Sequence, residues 1–521
     1  MDRSDRRRRN MELQYMKDQL ETEQVLQAKP TQVTVEAEAA LPGGLREEAK
    51  VYFADASVSV QSGEMNGSRV VAEGRVTFHA LYAQGDMRHV AALETAADFT
   101  QSLPLKEEMP SAAAGAVRPR AQVQHVSAKA FNGRLLLRAV ILLTAEAALP
   151  RTVSYIRDLA ENKDIQKDMQ VLSLQRAVGE GEGQMLLREE FDLSDVLQVK
   201  ETLYASAHAQ AEDIFGGADG RATVTGHVEI EAYHTSLMPG RPLIFTRHTV
   251  PFEQTVNLTG ALGSQMAATT SVRDVAVLSQ DNGDGGRLMR AEVQLFTEIT
   301  AVENTETEVI RDAFTTQGET MELTRQHVVF RSGTINEQTA ESGKLTLVLP
   351  EGSPRVKTVL LGFARPILLG TEQKGAKLHA DGVMETTLLY ITDDSDVPVS
   401  VSLEEPFHTV FSTEAGQEAA LQMSVSQVDV SAVTGDRVEM KYILHLHAFG
   451  VNKTHADVAV SAVPGEVKQI EKGVALYFIQ PGDTLWDIAR HYRMAVQEIC
   501  RMNPDLSMQP AAGTPVITYR R

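Results

Sequence analysis

The chain is poor in the residues that usually announce a chemistry. Of its 521 residues one is cysteine and one is tryptophan, and aromatics make up 5%. The lone thiol, Cys500, excludes an intramolecular disulfide and any multi-cysteine zinc site; a chain without disulfides fits a reducing compartment. Lys and Arg number 50 against 70 Asp and Glu, a formal net charge of −20. That deficit of positive charge argues against nucleic acid held through phosphate contacts and against an anionic membrane as the main ligand; an acidic surface mostly keeps a protein soluble. No apolar run approaches the roughly 18 residues of a transmembrane segment. The arginines at 6–9 have no apolar stretch behind them, so no secretory leader is read there, and residues 1–10 read as a disordered basic end.

Motifs for catalysis are also missing. There is no G-x-S-x-G, no P-loop, and no nucleophile with a base at a defined spacing. Gly283, Gly285 and Gly286 lack the βαβ context of a dinucleotide fingerprint. Gly179 to Gly183, reading GEGEG, is taken as a flexible polar loop whose carboxylates repel a phosphate. His445 and His447 alternate along a strand with His455 beyond, but spacing sets no acidic or cysteine partner for a metal. Asp393 to Asp396 lack the loop Gly and terminal Glu of a calcium site and read as a hairpin tip. The expectation is a protein that is not an enzyme, with no cofactor and no metal.

What is present is periodicity of two, repeated three times. Gly74 opens GRVTFHALY, Gly226 opens GHVEIEAYH and Gly382 opens GVMETTLLY. These glycines are about 150 residues apart, and each is followed after about 25 residues by a phenylalanine: Phe99, Phe252, Phe407. Tyr233 falls one place early relative to Tyr82 and Tyr390, which predicts a bulge or slip in the middle copy. Hairpins are predicted at Asn132-Gly133, at Asn282 to Gly286, and at Thr434-Gly435-Asp436, because Asn-Gly between alternating runs supplies the positive φ that a tight hairpin turn needs. The copies open at Met16–Leu41, Met169–Leu193 and Met321–Leu349. The fold class expected is therefore mainly β: three tandem β-sandwich-like domains at 11–150, 164–302 and 312–457. Linkers are expected at 151–163, 303–311 and 458–472, with a small domain at 473–521.

That last segment carries the most specific signal. Tyr477, Phe478 and Ile479 read as a strand, and Gln480-Pro481-Gly482-Asp483 as a turn. Thr484 with Asp487 makes a short-armed capping box. Leu485, Ile488, Ala489 and Tyr492 mark one face of a helix. Val496, Ile499 and Cys500 mark a second helix, stopped by Asn503-Pro504, and Val516 to Thr518 a closing strand. Cys500 reads as a small buried hydrophobe, and Trp486, one step off the core face, as either a packing lid or an interface anchor.

The residues QPGDTLW, Ile488-Ala489, Tyr492 and Asn503-Pro504 resemble the LysM domain. The resemblance implies a βααβ fold with a shallow groove that takes N-acetylglucosamine-containing glycan between two loops. By motif those loops are Gly482, Asp483, Thr484 and Leu485, with Trp486 beside them, and Asn503, Pro504, Asp505 and Leu506. Arg493 departs from the family's usual Gly, and Pro510 to Gly513 from its usual Pro-Gly turn. Three β units followed by one such domain are similar to the SipL-like family of spore-coat morphogenesis proteins, with their SPOCS domains. That similarity implies a mother-cell cytoplasmic adaptor at the forespore surface, which binds a SpoIVA-like coat morphogenetic ATPase through its LysM domain.

Overall fold

A computed structural model describes residues 15–520 apart from 43–47, 86, 88, 107–115, 161–163, 194–196, 218, 239–240, 282–286, 413–418, 468–472 and 508–509. The basic residues 1–10 and the turn at Asn282 to Gly286 thus lie outside the described residues. The first unit comprises β1 (Tyr15–Gln27), β2 (Thr31–Ala40), β3 (Ala49–Asn66), β4 (Arg69–Gln84), β5 (Ala91–Pro104), β6 (Ala116–Phe131) and β7 (Arg134–Leu159). The second has β8 (Ile165–Leu193), β9 (Val199–Gly216), β10 (Arg221–Ser236), β11 (Leu243–Asn257), β12 (Thr259–Gly260), β13 (Gln265–Asp281) and β14 (Arg287–Thr315). The third has β15 (Glu319–Val348), β16 (Val356–Lys374), β17 (Lys377–Thr392), β18 (Val399–Ser412), β19 (Ala420–Thr434) and β20 (Arg437–Val467). The C-terminal domain has β21 (Gly473–Phe478), α1 (Leu485–Tyr492), α2 (Val496–Met502) and β22 (Pro515–Arg520).

Each unit is a sandwich of two antiparallel sheets: β3-β4-β5 over β2-β7-β6, β9-β10-β11 over β8-β14-β13, and β16-β17-β18 over β15-β20-β19. Inward residues of the central strands fill each core, for example Phe78 with Leu137 and Ile141 in the first unit. The repeated glycine has a steric cause. Gly74 pairs with Phe99, Gly226 with Phe252 and Gly382 with Phe407. A Cβ on these glycines would lie 2.6, 2.9 and 2.5 Å from the facing ring, and 2.5, 2.1 and 2.7 Å from a carbonyl of the strand on the other side. That strand bulges at the same place in every unit, at Gln61, Glu212 and Leu369.

The middle copy is not slipped. A second bulge, at Tyr52, Leu203 and Leu360, recurs in all three units. Tyr233 therefore stands where Leu81 and Leu389 stand. His234 takes the place of Tyr82 and Tyr390, fully buried and hydrogen-bonded to Thr202 at 3.0 Å and Thr246 at 2.9 Å.

Two further expectations are corrected. The stretches read as linkers at 151–163, 303–311 and 458–472 are, where described, mostly strand: they are the outgoing ends of β7, β14 and β20. There the long strands run past the sandwiches as two-stranded ribbons, β7 with β1, β14 with β8, β20 with β15. A lone ribbon cannot bury its apolar face, so the three ribbons pack together. Leu20, Val153 and Tyr155 meet Leu172, Leu174 and Val309, and these meet Val328, Phe330, Ala456 and Val458. Fully burying a Leu or Phe is worth about 1.5–3 kcal/mol, so this shared core ties the units to one another. The GEGEG run is also strand, within β8 and paired with β14. Its glycines let neighbouring backbone approach: a Cβ on Gly179 would sit 2.1 Å from the Ala261 carbonyl oxygen, and one on Gly181 2.5 Å from that of Asn257.

The units close into a ring. The third strand of one sheet touches the first strand of the next: β5 against β9, β11 against β16, β18 against β3. Equivalent residues Leu81, Tyr233 and Leu389 share one cluster with Phe53, Tyr204 and Leu361. Repeated heterologous contacts that return on themselves are the geometry of a closed cyclic assembly, here made from one chain.

Candidate functional site

In the C-terminal domain β21 pairs antiparallel with β22, from Gly473 opposite Arg520 to Phe478 opposite Pro515. The chain then turns through Gln480–Asp483, with Gly482 at φ 93°. The Asp483 carboxylate accepts the Gln480 N–H at 2.8 Å and the Tyr477 hydroxyl. That hydroxyl bond, and then the backbone one, hold its pKa below the usual carboxylate range. Thr484 caps α1 in a full capping box: its Oγ1 accepts the Asp487 N–H at 3.2 Å, and the Asp487 carboxylate accepts the Thr484 N–H at 3.0 Å. Leu485, Ile488 and Ala489 are buried, with Ile499 of α2 and Val516 of β22 completing the core; Tyr492 and Cys500 are half-buried against it.

Asn503 closes α2 and ties it to the sheet. Its Nδ2 donates to the carbonyls of Ile499 at 2.9 Å and Ile517 at 2.8 Å, and its Oδ1 accepts the Ile517 N–H at 2.8 Å. The turn at Ala511–Thr514 returns to β21 through Gly513 N–H to the Ile479 carbonyl at 2.7 Å.

Of the nine predicted binding residues, Gly482, Thr484, Pro504 and Asp505 are exposed, and Asp483, Asn503 and Leu506 are half-buried. Leu485 is buried in the core. Trp486 points instead to the three-unit body. Its Nε1 donates to Asp312 at 2.8 Å, and its ring meets Phe314 edge-on at 4.9 Å between centroids. Arg490 donates to the same Asp312 carboxylate at 2.7 Å, and Arg325 binds its other oxygen. The interface anchor is thus intramolecular, and buried Phe314 of β14 joins the small domain's own apolar cluster.

Arg493 explains its departure from glycine. It stands in the left-handed region after α1, at φ 50° and ψ 48°, where a side chain is disfavoured. Its guanidinium reaches the body, donating to the Thr315 carbonyl at 2.9 Å, Thr315 Oγ1 at 2.8 Å and the Gly318 carbonyl at 3.1 Å. Sequence reading did not identify Asp312, Phe314 or Arg490. The one local signal was Arg493 itself, a charged residue at a glycine position.

The outer face of the sheet is apolar. Val474, Leu476, Phe478, Ile517 and Tyr519 point outward and are each 46–71% exposed. Among the described residues no group of three or more His, Cys, Asp or Glu is placed to hold a metal, and no helix is long and apolar enough to cross a membrane.

Residues 477–509 match the LysM domain, in agreement with the two helices flanked by strands, and the chain carries that domain at its C-terminal end. No curated protein and no solved structure matches the chain.

Proposed function

We propose that this chain is a non-enzymatic adaptor that presents a LysM surface from a rigid three-unit body to a protein partner in a polymerising layer. The observation that carries the reading is the orientation of the domain. Trp486, Arg490 and Arg493 hold it to the body, while the apolar face of Val474, Leu476, Phe478, Ile517 and Tyr519 is left open to solvent. An exposed cluster of large apolar side chains favours a protein contact over a sugar, since such patches mark interaction sites. The resemblance of the whole arrangement to spore-coat morphogenesis proteins with SPOCS domains supplies the partner class, a SpoIVA-like coat morphogenetic ATPase, and a location at the forespore surface in the mother cell. Several modest surfaces on one chain raise effective concentration at such a layer.

A second reading, binding of N-acetylglucosamine-containing glycan such as peptidoglycan, is favoured by the LysM match and by the exposed loop tips Gly482, Thr484, Pro504 and Asp505. One experiment separates them: capture by the coat ATPase beside sedimentation with purified peptidoglycan, using the full chain and the variants Leu476→Asp and Leu506→Ala. Loss of ATPase capture with Leu476→Asp, in a protein that still melts cooperatively, is the expected result. Strong glycan sedimentation with no capture reverses the assignment.

A further inference from the structure

Where the three sandwiches meet, their walls line a partly open cavity of about 740 Å³ to which every unit contributes. That lies within the range of small-molecule sites. Most of its charged groups are matched by other protein groups. Arg365 pairs with Asp55 and, at 3.2 Å, with Glu385. Glu231 accepts from Arg247 at 2.9 Å and from the Gln427 N–H at 2.8 Å.

Arg120 is different. Its guanidinium lies over the Phe449 ring at 4.3 Å. Among the described residues its contact is that ring, with neither a hydrogen bond nor an ion pair, and it lines the cavity wall. Glu298 and Glu146 act on it electrostatically without closing an ion pair, and burial holds its pKa below the usual value. A cation in this setting lacks the directed acceptors that a planar guanidinium is built to bind.

The histidines nearby offer acceptors. Asn336 donates through Nδ2 to the Ala268 carbonyl at 3.0 Å, so its Oδ1 accepts from His447 Nε2 at 2.7 Å. The Ser426 hydroxyl donates to Glu229 at 2.9 Å and therefore accepts from His445 Nε2 at 2.7 Å. Both histidines are thereby fixed as Nε2–H tautomers, with Nδ1 left as the acceptor. Burial keeps His447 neutral near pH 7, with a pKa of about 4, and lowers that of His445.

We propose that this central cavity binds a small hydroxylated organic acid, with its carboxylate on Arg120 and a hydroxyl group donating to Nδ1 of His447. With neutral imidazoles beside it and the Glu298 carboxylate also on the wall, one guanidinium matches at most one negative charge. A phosphate dianion would call for more cations than the wall supplies. This site is separate from the LysM surface and does not depend on its assignment.

The test is calorimetric titration and thermal unfolding of the full chain with gluconate, with sorbitol as its uncharged analogue, and with inorganic phosphate. Saturable gluconate binding is expected, with a rise in melting temperature of about 2–5 °C near saturation. Sorbitol should have no such effect, and phosphate should bind at least about tenfold more weakly. Arg120→Gln should lose gluconate affinity by about tenfold or more; Arg120→Lys, which keeps charge and volume, should lose several-fold and guards against a variant that fails to fold. Unchanged affinity in either folded variant places the anion elsewhere. Equal affinity for phosphate overturns the carboxylate assignment, and no stabilisation by gluconate makes this a water-filled cavity.

Discussion

In the LysM domain, Leu485, Ile488 and Ile499 meet across about 15 residues of chain. In the body, Leu20, Val309 and Phe330 meet although about 300 residues separate the first from the last. Both regions bury apolar surface, but the small domain does so with neighbours in sequence and the body with distant strands. Contacts of the second kind close long loops before they bring any stabilisation. The body is therefore expected to behave as one interlocked structure and the LysM domain as an attachment that can be lost without it.

The largest expected effect breaks the small side of that comparison. Ile488→Asp puts an unpaired carboxylate into the LysM core, at a cost of several kcal/mol, roughly the whole stability of so small a unit. Trp486 emission should shift to that of an exposed indole while the main melting transition of the body stays in place. A matching fall in the body's transition would mean that the two regions do not melt separately.

Phe330→Ala tests the large side. Phe330 is fully buried where the three ribbons meet, and its truncation should cost about 3–5 kcal/mol. If the ribbons form one core, the whole body should unfold earlier in denaturant as a single transition. A shift confined to one of several resolved transitions would make the units independent beads.

Acid should weaken the body through its buried histidines. Burial, the leading cause in each case, lowers His208 from 6.5 to about 3, and His234 and His447 to about 4. The unfolded chain takes up these protons below about pH 6.5, whereas the folded chain does so only near pH 3 to 4. Stability is therefore lost as pH falls through that window, by at most about 1.4 kcal/mol per pH unit for each histidine. Melting temperatures from pH 7 to 5 should fall, and less steeply in His234→Gln. A flat profile would falsify the neutral, buried state of these rings.

The smallest effect concerns the seam. Asp312→Ala removes the acceptor shared by Trp486, Arg490 and Arg325, a loss of about 1–3 kcal/mol. Acrylamide should quench Trp486 more readily, with a smaller accompanying fall in the body's melting temperature from the lost Arg325 pair. Unchanged quenching would indicate that Phe314 and Arg493 hold the domain without Asp312.

The LysM domain was legible because its signals are local. The turn, the capping box, the i, i+3, i+4 stripe and the Asn503 stop all act within a few residues, and each appears where the sequence placed it. The three-unit repeat was legible for the same reason: a glycine facing a phenylalanine one hairpin away leaves a fixed spacing. What the chain could not reveal is which faces meet. Alternation in β7, β14 and β20 marks an apolar face without naming its partner, so ribbon ends that pack on one another read as linkers. Trp486 likewise read as an anchor without a seat. Asp312 and Phe314, which form that seat, lie about 170 residues upstream and carry no local mark. The central cavity, with Arg120 beside His447, exists only because three sheets close around it. Local steric and hydrogen-bonding rules are written in short stretches of sequence; the pairing of distant apolar faces is settled only when the whole chain finds the arrangement that buries them together.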